Sequence, residues 1–175
     1  PLWSRGLGDV YKRQVRGLLA RHAGMVDAPL LSRFDFGATL RRWNVRHATP
    51  SALARLSADE RARSVVVVQD AFTRYFETPV LAAFIALAAR LGYTVWLAPF
   101  RPNGKPLQVQ GFLRAFDRAA RRNADMLDAL AQGGVPLVGL DPAMTLVYRQ
   151  EYAKLPRMVR LPSVLLPQEL SLIHI

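Results

Sequence analysis

Four consecutive β-branched residues, Val65-Val-Val-Val68, constrain the fold of this chain more than any other stretch. A strand with one face in water alternates apolar and polar side chains. A run without alternation, from Ser64 to Gln69, suits a strand covered on both faces, and hence a parallel sheet flanked by helices. The sequence that follows supplies those helices. Thr78-Pro79 caps one whose apolar residues Leu81, Phe84, Ile85, Ala88 and Leu91 recur at helical spacing, and Gly92 stands where a C-terminal cap belongs. Tyr93 to Ala98 reads as a second strand, ended by Pro99.

A loop from Phe100 to Gln108, with Pro102, Asn103, Gly104 and Pro106, leads into a long amphipathic helix from Val109 to Gln132. Phe112, Leu113, Phe116, Ala120, Ala124, Leu127 and Leu130 form its inward stripe, while Arg114, Arg118, Arg121, Asp125 and Asp128 face water. Gly133-Gly134 stops it. Pro136 to Leu140 reads as a third strand, Pro142 to Tyr152 as a third helix and Ser163 to Leu166 as a fourth strand. Strands alternating with helices of this length predict an α/β fold, a small parallel sheet built from Rossmann-like βαβ units, over residues 63–169. The preceding residues, 15–62, read as a short helical or irregular lead-in broken by Gly24, Pro29 and Gly37. Within it, Thr49-Pro50 starts a short helix through Leu56, and Ser57-Ala-Asp-Glu60 is a capping box.

The two ends have a different origin. Leu170-Ser-Leu-Ile-His-Ile175 reads as the translation of CTG TCT CTT ATA CAC ATC, which resembles a transposon end used to tag DNA for sequencing. Ser4 to Gln14 reads as the reverse complement of the same end with its primer tail. Residues 1–14 and 170–175 are therefore read as adapter-derived, in an open reading frame from a metagenomic read whose parent gene extends in both directions. Such ends were never selected to pack and are expected to be exposed or poorly ordered.

Composition narrows the chemistry. The chain has no cysteine, which removes a disulfide framework, a thiol nucleophile and a cysteine-held zinc or iron–sulfur site from these residues. Its longest charge-free apolar run, Thr78 to Ala89, falls short of the roughly 20 residues of a membrane helix. With no leader pattern at the start, a cytoplasmic chain is expected, or one peripheral to the inner membrane. The formal net charge is +11, and it is +9 once the head residues Arg5, Lys12, Arg13 and Asp9 are set aside. That excess could attract nucleic acid. Acidic neighbours in Asp59-Glu-Arg and Asp117-Arg favour a salt-bridged surface instead, and no nucleic-acid motif is present.

In an open parallel sheet, ligands gather at the carboxyl ends of the strands. Here those ends bring Asp70, Thr73, Arg74, Arg101, Asn103, Lys105, Gln108 and Asp141 toward one rim, a candidate polar pocket. Each has a plainer role. Asp70 and Asp141 could be general bases, or caps for the helices that follow. Asn103-Gly104 could present an amide or simply form a turn. Arg101 and Lys105 could hold a small anion or be solvated cations. Phe72, Tyr75 and Phe76 read as packing rather than a stacking platform. His22 and His47 lie too far apart for a metal motif, and neither a dinucleotide fingerprint nor a nucleophile elbow is present.

Three phrases, Gln69-Asp-Ala-Phe-Thr-Arg-Tyr-Phe-Glu77, Leu91-Gly-Tyr-Thr-Val and Gly134-Val-Pro-Leu-Val-Gly-Leu-Asp-Pro142, stand in an order that resembles FAD-linked iron–sulfur oxidoreductases. The family includes D-lactate dehydrogenase and glycolate oxidase types with heterodisulfide-reductase-like cysteine-rich modules. The resemblance implies cluster cysteines in the loop after the second strand and again after the third. In this chain those positions are Pro102, Asn103 and Met144, so the thiolates are missing. The Cys-less phrases Phe100-Arg-Pro-Asn-Gly-Lys-Pro-Leu and Gly139-Leu-Asp-Pro-Ala-Met-Thr-Leu look most like the tail of large single-chain enzymes of the D-2-hydroxyglutarate dehydrogenase type. The resemblance implies FAD and an iron–sulfur cluster in upstream FAD and ferredoxin-like domains of the same polypeptide. It also implies a packing role without a redox centre for this segment. A module binding a small anion such as a dicarboxylate is the other reading, and nucleic-acid binding the weakest.

Overall fold

The computed structural model describes residues 31–155 and 163–173. The chain divides into two compact units, residues 1–31 and 32–175, and apart from Leu31 the described residues belong to the second. Its helices are α1 (Phe36–Arg42), α2 (Pro50–Ala54), α3 (Ala58–Ala62), α4 (Ala71–Tyr75), α5 (Thr78–Arg90), α6 (Lys105–Val109), α7 (Leu113–Ala131), α8 (Pro142–Leu146) and α9 (Pro167–Ile173). Its strands are β1 (Arg46–His47), β2 (Ser64–Val68), β3 (Thr94–Leu97), β4 (Leu137–Gly139) and β5 (Val164–Leu165). They form one sheet in the order β1-β3-β2-β4-β5, parallel throughout.

The valine run occupies the central strand, and all five residues of β2 are buried. Alternate side chains feed two cores. Val66, Val68, Trp96 and Leu137 pack under Phe116, Ala120, Ala124, Leu127 and Leu130 of α7. Val65, Val67, Val95, Leu97 and Val138 pack under Leu81, Ile85 and Ala88 of α5. This double burial is what the lack of alternation demanded. From β2 the chain crosses through α5 to β3, then through α7 to β4 on the other side of β2. The strand order therefore reverses at β2, and the carboxyl ends of β2 and β4 flank the place where an open sheet offers a crevice.

The local signals at the helix starts hold. Thr49 accepts from the Ala52 amide with Pro50 in the first turn, and the Ser57–Glu60 capping box is present in both directions. Gly92 takes φ +88° just beyond α5. Thr78, however, is the first residue of α5 and not its cap; its hydroxyl donates to the Arg74 carbonyl at 2.9 Å.

Several expectations are corrected. The Phe100–Gln108 loop contains the start of α6, and the helix expected as continuous from Val109 is broken over residues 110–112, where Gly111 takes φ +80°. The helix from Pro142 loosens into a π turn at Val147–Glu151 and a 3-10 turn at Tyr152–Lys154. The lead-in contributes an edge strand, β1, too short to leave an alternating pattern. The expectation for the tail also changes: α9 runs through residue 170, and Leu170 is buried against the α5 side of the sheet. The head lies outside the described residues, as does His22.

Candidate functional site

Two corners form at the carboxyl end of the sheet. The first is the exit of β2. Asp70 caps α4, accepting at one carboxylate oxygen from the amides of Phe72 (2.7 Å) and Thr73 (3.0 Å) and at the other from the Thr73 hydroxyl (2.5 Å). Capping is therefore its role, as the spacing suggested. Buried Gln69 spans the strands beside it: its amide nitrogen donates to the Ala98 carbonyl at 2.6 Å, and its oxygen accepts from the Arg74 guanidinium. Arg74 is also stacked, 5.6 Å from the Tyr75 ring centre and 5.0 Å from that of Phe100, and those rings meet edge to face at 5.3 Å. Phe72 and Tyr75 pack, Phe72 against Phe76 at 5.9 Å and Tyr75 against Phe100, yet remain 44% and 42% exposed.

The second corner joins the exits of β3 and β4. Asn103 is buried, its side-chain oxygen accepting from the Lys105 amide at 3.0 Å and its amide nitrogen facing the Met144 sulfur at 3.2 Å. The Tyr152 hydroxyl donates to the Asn103 carbonyl at 2.8 Å, and the Asn123 amide donates to the carbonyls of Arg101 (3.3 Å) and Pro102 (3.4 Å). Asp141 caps α8 through the Met144 amide at 2.8 Å, and the Thr145 hydroxyl donates to the Asp141 carbonyl at 2.7 Å. Gly104 has φ +82°, and a Cβ there would stand 2.9 Å from the Phe116 ring. Only glycine fits that approach.

Tyr148 and Tyr152 line the inner wall of this corner, edge to face at 5.5 Å. Burial pushes the Tyr148 phenol up, the Asp70 charge adds to the shift, and Asn123 pulls the other way. Burial likewise raises Tyr152, with Tyr148 reinforcing it and Asn123 opposing. The Tyr148 hydroxyl and the Asn123 side-chain oxygen are buried without a hydrogen-bond partner. Sequence reading missed all three residues.

The remaining candidates do not join these corners in one pocket. Lys105 donates to Gln108 at 3.0 Å, and Gln108 to Glu151 at 2.6 Å. The Gln108 hydrogen bond is the chief reason that the Glu151 carboxyl lies below the usual carboxylate range, with desolvation opposing and Lys154 assisting. This chain edges a groove of about 620 Å³ floored by Leu113, Phe116 and Leu155. Exposed Arg101 reaches the Arg122 carbonyl at 3.4 Å, beside a separate hollow of about 350 Å³. The expected counter-charges differ as well: Asp117 pairs with Arg121 one turn on, at 2.9 Å, and Glu60 serves its capping box.

The corner of Pro102, Asn103 and Met144 does bring together the positions that the resemblance gives to cluster cysteines. Its donors are an amide already engaged and a thioether, which do not fit an iron–sulfur cluster. Among the described residues no group of three or more His, Asp or Glu converges as a metal site. None of the described helices is long and apolar enough to cross a membrane.

No family model and no solved structure matches the chain. Curated proteins do. The chain is 66% identical over 155 residues to a D-2-hydroxyglutarate dehydrogenase of Pseudomonas putida, covering 89% of this chain and 15% of that protein. It is 44% identical over 138 residues to the enzyme of that name in Escherichia coli, covering 79% of this chain and 14% of that protein. The chain is thus similar to one segment of proteins named D-2-hydroxyglutarate dehydrogenase. A third D-2-hydroxyglutarate dehydrogenase, from Pantoea ananatis, is 46% identical over 131 residues, 75% of this chain and 13% of that protein. The chain thus spans about one-seventh of the length of these curated relatives.

Proposed function

We propose that this chain is the C-terminal packing module of an FAD-dependent, iron–sulfur-containing 2-hydroxy-acid dehydrogenase acting on D-2-hydroxyglutarate, and that it has no redox centre of its own. The observation that supports this reading is the Asn103–Met144 contact. Two loops from different strands meet as in a cluster-binding corner, yet the meeting point is filled by an amide, a thioether and a tyrosine hydroxyl bond. Its work in this reading is to close one side of the enzyme and hold upstream FAD and ferredoxin-like domains in register. FAD bound upstream would supply the electron-accepting chemistry for the 2-hydroxy acid. In this reading the residues of this chain exclude water and fix surfaces. The cytoplasm, or the inner face of the inner membrane, is the compartment that this role suits.

Small-anion binding draws less support, because Arg101, Asn103 and Lys105 turn to separate partners. The deciding experiment uses the full-length polypeptide. Flavin and iron content and D-2-hydroxyglutarate oxidation are measured in the wild type and in a variant combining Asn103→Ala with Met144→Leu. The expected result is flavin and iron content unchanged, with reduced stability. Loss of iron on changing these two residues would overturn the reading.

A further inference from the structure

The carboxyl rim of the sheet holds a cation fixed in place by its neighbours. Arg74 is the centre of it. Its guanidinium is fixed from below by Gln69, which is 4% exposed, and from the sides by the Tyr75 and Phe100 rings. Burying a glutamine amide costs free energy unless both ends are bonded, and here both ends are spent on locking the β3 exit to Arg74. Arginine has five N–H donors in a rigid fork suited to a carboxylate. None of the ion pairs among the described residues involves Arg74. Tyr75, against which it stacks, and Phe72, one turn before Tyr75 on α4, are more than two-fifths exposed. Exposed aromatics around a fixed arginine are the composition of an interface centre.

We infer that Phe72, Arg74 and Tyr75 form the surface by which this module docks onto the rest of its own polypeptide, and that the surface received there is apolar with an acidic side chain facing Arg74. This rests on the packing role proposed above and adds where the contact lies and what chemistry meets it. Two observations choose this occupant. The relatives are about seven times longer than the chain, so most of such a polypeptide stands outside the described residues. The chain also carries a formal +9 without its head residues Arg5, Lys12, Arg13 and Asp9, which an acidic neighbour in the same molecule would balance. A rival surface exists at Phe112 and Leu113, 58% and 62% exposed at the corner between α6 and α7. The cations near it, Lys105 and Lys154, are bonded to Gln108 and Glu151 and are not stacked between rings, and so it serves as the comparison.

Hydroxyl-radical footprinting of the full-length polypeptide tests the inference, with oxidation of each side chain read by mass spectrometry. Buried Trp96 and Tyr152 report that the module is folded, and exposed Leu87 and Leu91 on α5 report full labelling. The inference expects Phe72 and Tyr75 to be labelled at least about fivefold less than their exposure in the isolated fold allows, as in a dry interface core. Arg74→Glu should restore their labelling, and Arg74→Lys should restore it only in part. Phe72→Ser, which leaves Gln69 and Arg74 in place, should raise Tyr75 labelling and covers the case in which Arg74→Glu unfolds the rim. Full labelling of Phe72 and Tyr75 with protection of Phe112 and Leu113 would overturn this surface and leave the packing role standing. Full labelling of both would overturn the packing role too.

Discussion

The two corners at the carboxyl end of the sheet solve the same problem in opposite ways. At the exit of β2, the groups are charged and only one reaches the surface: Asp70, 5% exposed, caps α4 from within, and Arg74 is fixed between rings at the rim. At the exits of β3 and β4, the groups are neutral and turned inward: Asn103, Asn123, Tyr148 and Tyr152 are all less than 8% exposed. A closed corner of this kind stabilises the fold without offering atoms to a ligand. An open one has donors to spare. The contrast separates architecture from contact within a single rim.

The largest expected effect breaks the closed corner from beneath. A Cβ on Gly139 would stand 2.3 Å from the Thr145 hydroxyl and 3.3 Å from Val164. Gly139→Val therefore overpacks the floor of that corner and displaces the Thr145 bond to Asp141, at a cost of about 3 kcal/mol. Urea unfolding of the chain would show a lower midpoint. An unchanged midpoint would mean that the floor is not rigid.

Alkaline pH separates the corners next. Tyr148 and Tyr152 have folded pKa values raised above their ordinary range, chiefly by burial. The fold thus holds these protons more tightly than the unfolded chain, so their contribution is complete below about pH 10 and fades as pH rises beyond it. Each phenol should remove about 1.4 kcal/mol per pH unit in that window. Stability measured from pH 9 to 11.5 should fall with a slope that Tyr152→Phe halves. The charged corner predicts no such alkaline loss, and Asp70→Ala should leave the slope unaltered. A slope indifferent to Tyr152→Phe would place the titrating groups elsewhere.

Single groups come third. Tyr152→Phe leaves the buried Asn103 carbonyl without its 2.8 Å donor and should cost about 1.5 kcal/mol at neutral pH. Asp70→Ala removes a cap that serves two amides and a hydroxyl and should cost about 1 kcal/mol. If Asp70→Ala proves much the more costly, the open corner is structural after all.

How much of this could be read from sequence follows from the range of the interactions involved. The valine run, the Ser57 capping box and the Asp70 and Asp141 caps are local, so they were legible. The β1 edge strand was not, because two exposed residues leave no period. The break at residues 110–112 was obscured by apolar Phe112 and Leu113, which fit a continued stripe although the structure leaves them exposed. The open corner was half legible: Arg74 was a candidate, but its partner Gln69 was not, since the pair forms only when the β2 exit turns. Of the closed corner, Asn103 and Asp141 were candidates, while Asn123, Tyr148 and Tyr152 were missed because they come from α7, the π turn and the 3-10 turn after it. One signal was available. Asn123 lies three residues after Ala120 and four before Leu127, a polar residue inside a buried stripe. A buried amide at such a position calls for polar partners across the core.

The smallest effect is the most discriminating. The Tyr148 hydroxyl is buried with no partner at hydrogen-bonding geometry, and the Asn123 side-chain oxygen is likewise unpartnered. An unbonded buried hydroxyl contributes desolvation cost and nothing in return. Tyr148→Phe keeps the ring, its edge-to-face contact with Tyr152 and its place in the core while removing only that oxygen. Stability at pH 7 should therefore change by less than about 0.5 kcal/mol, or rise, in contrast to Tyr152→Phe one turn away. The two variants have the same chemistry and nearly the same burial, and differ only in whether the hydroxyl is bonded. Equal losses in urea unfolding would show that Tyr148 also has a partner, and that the closed corner is held by a connected network rather than by the Tyr152–Asn103 bond.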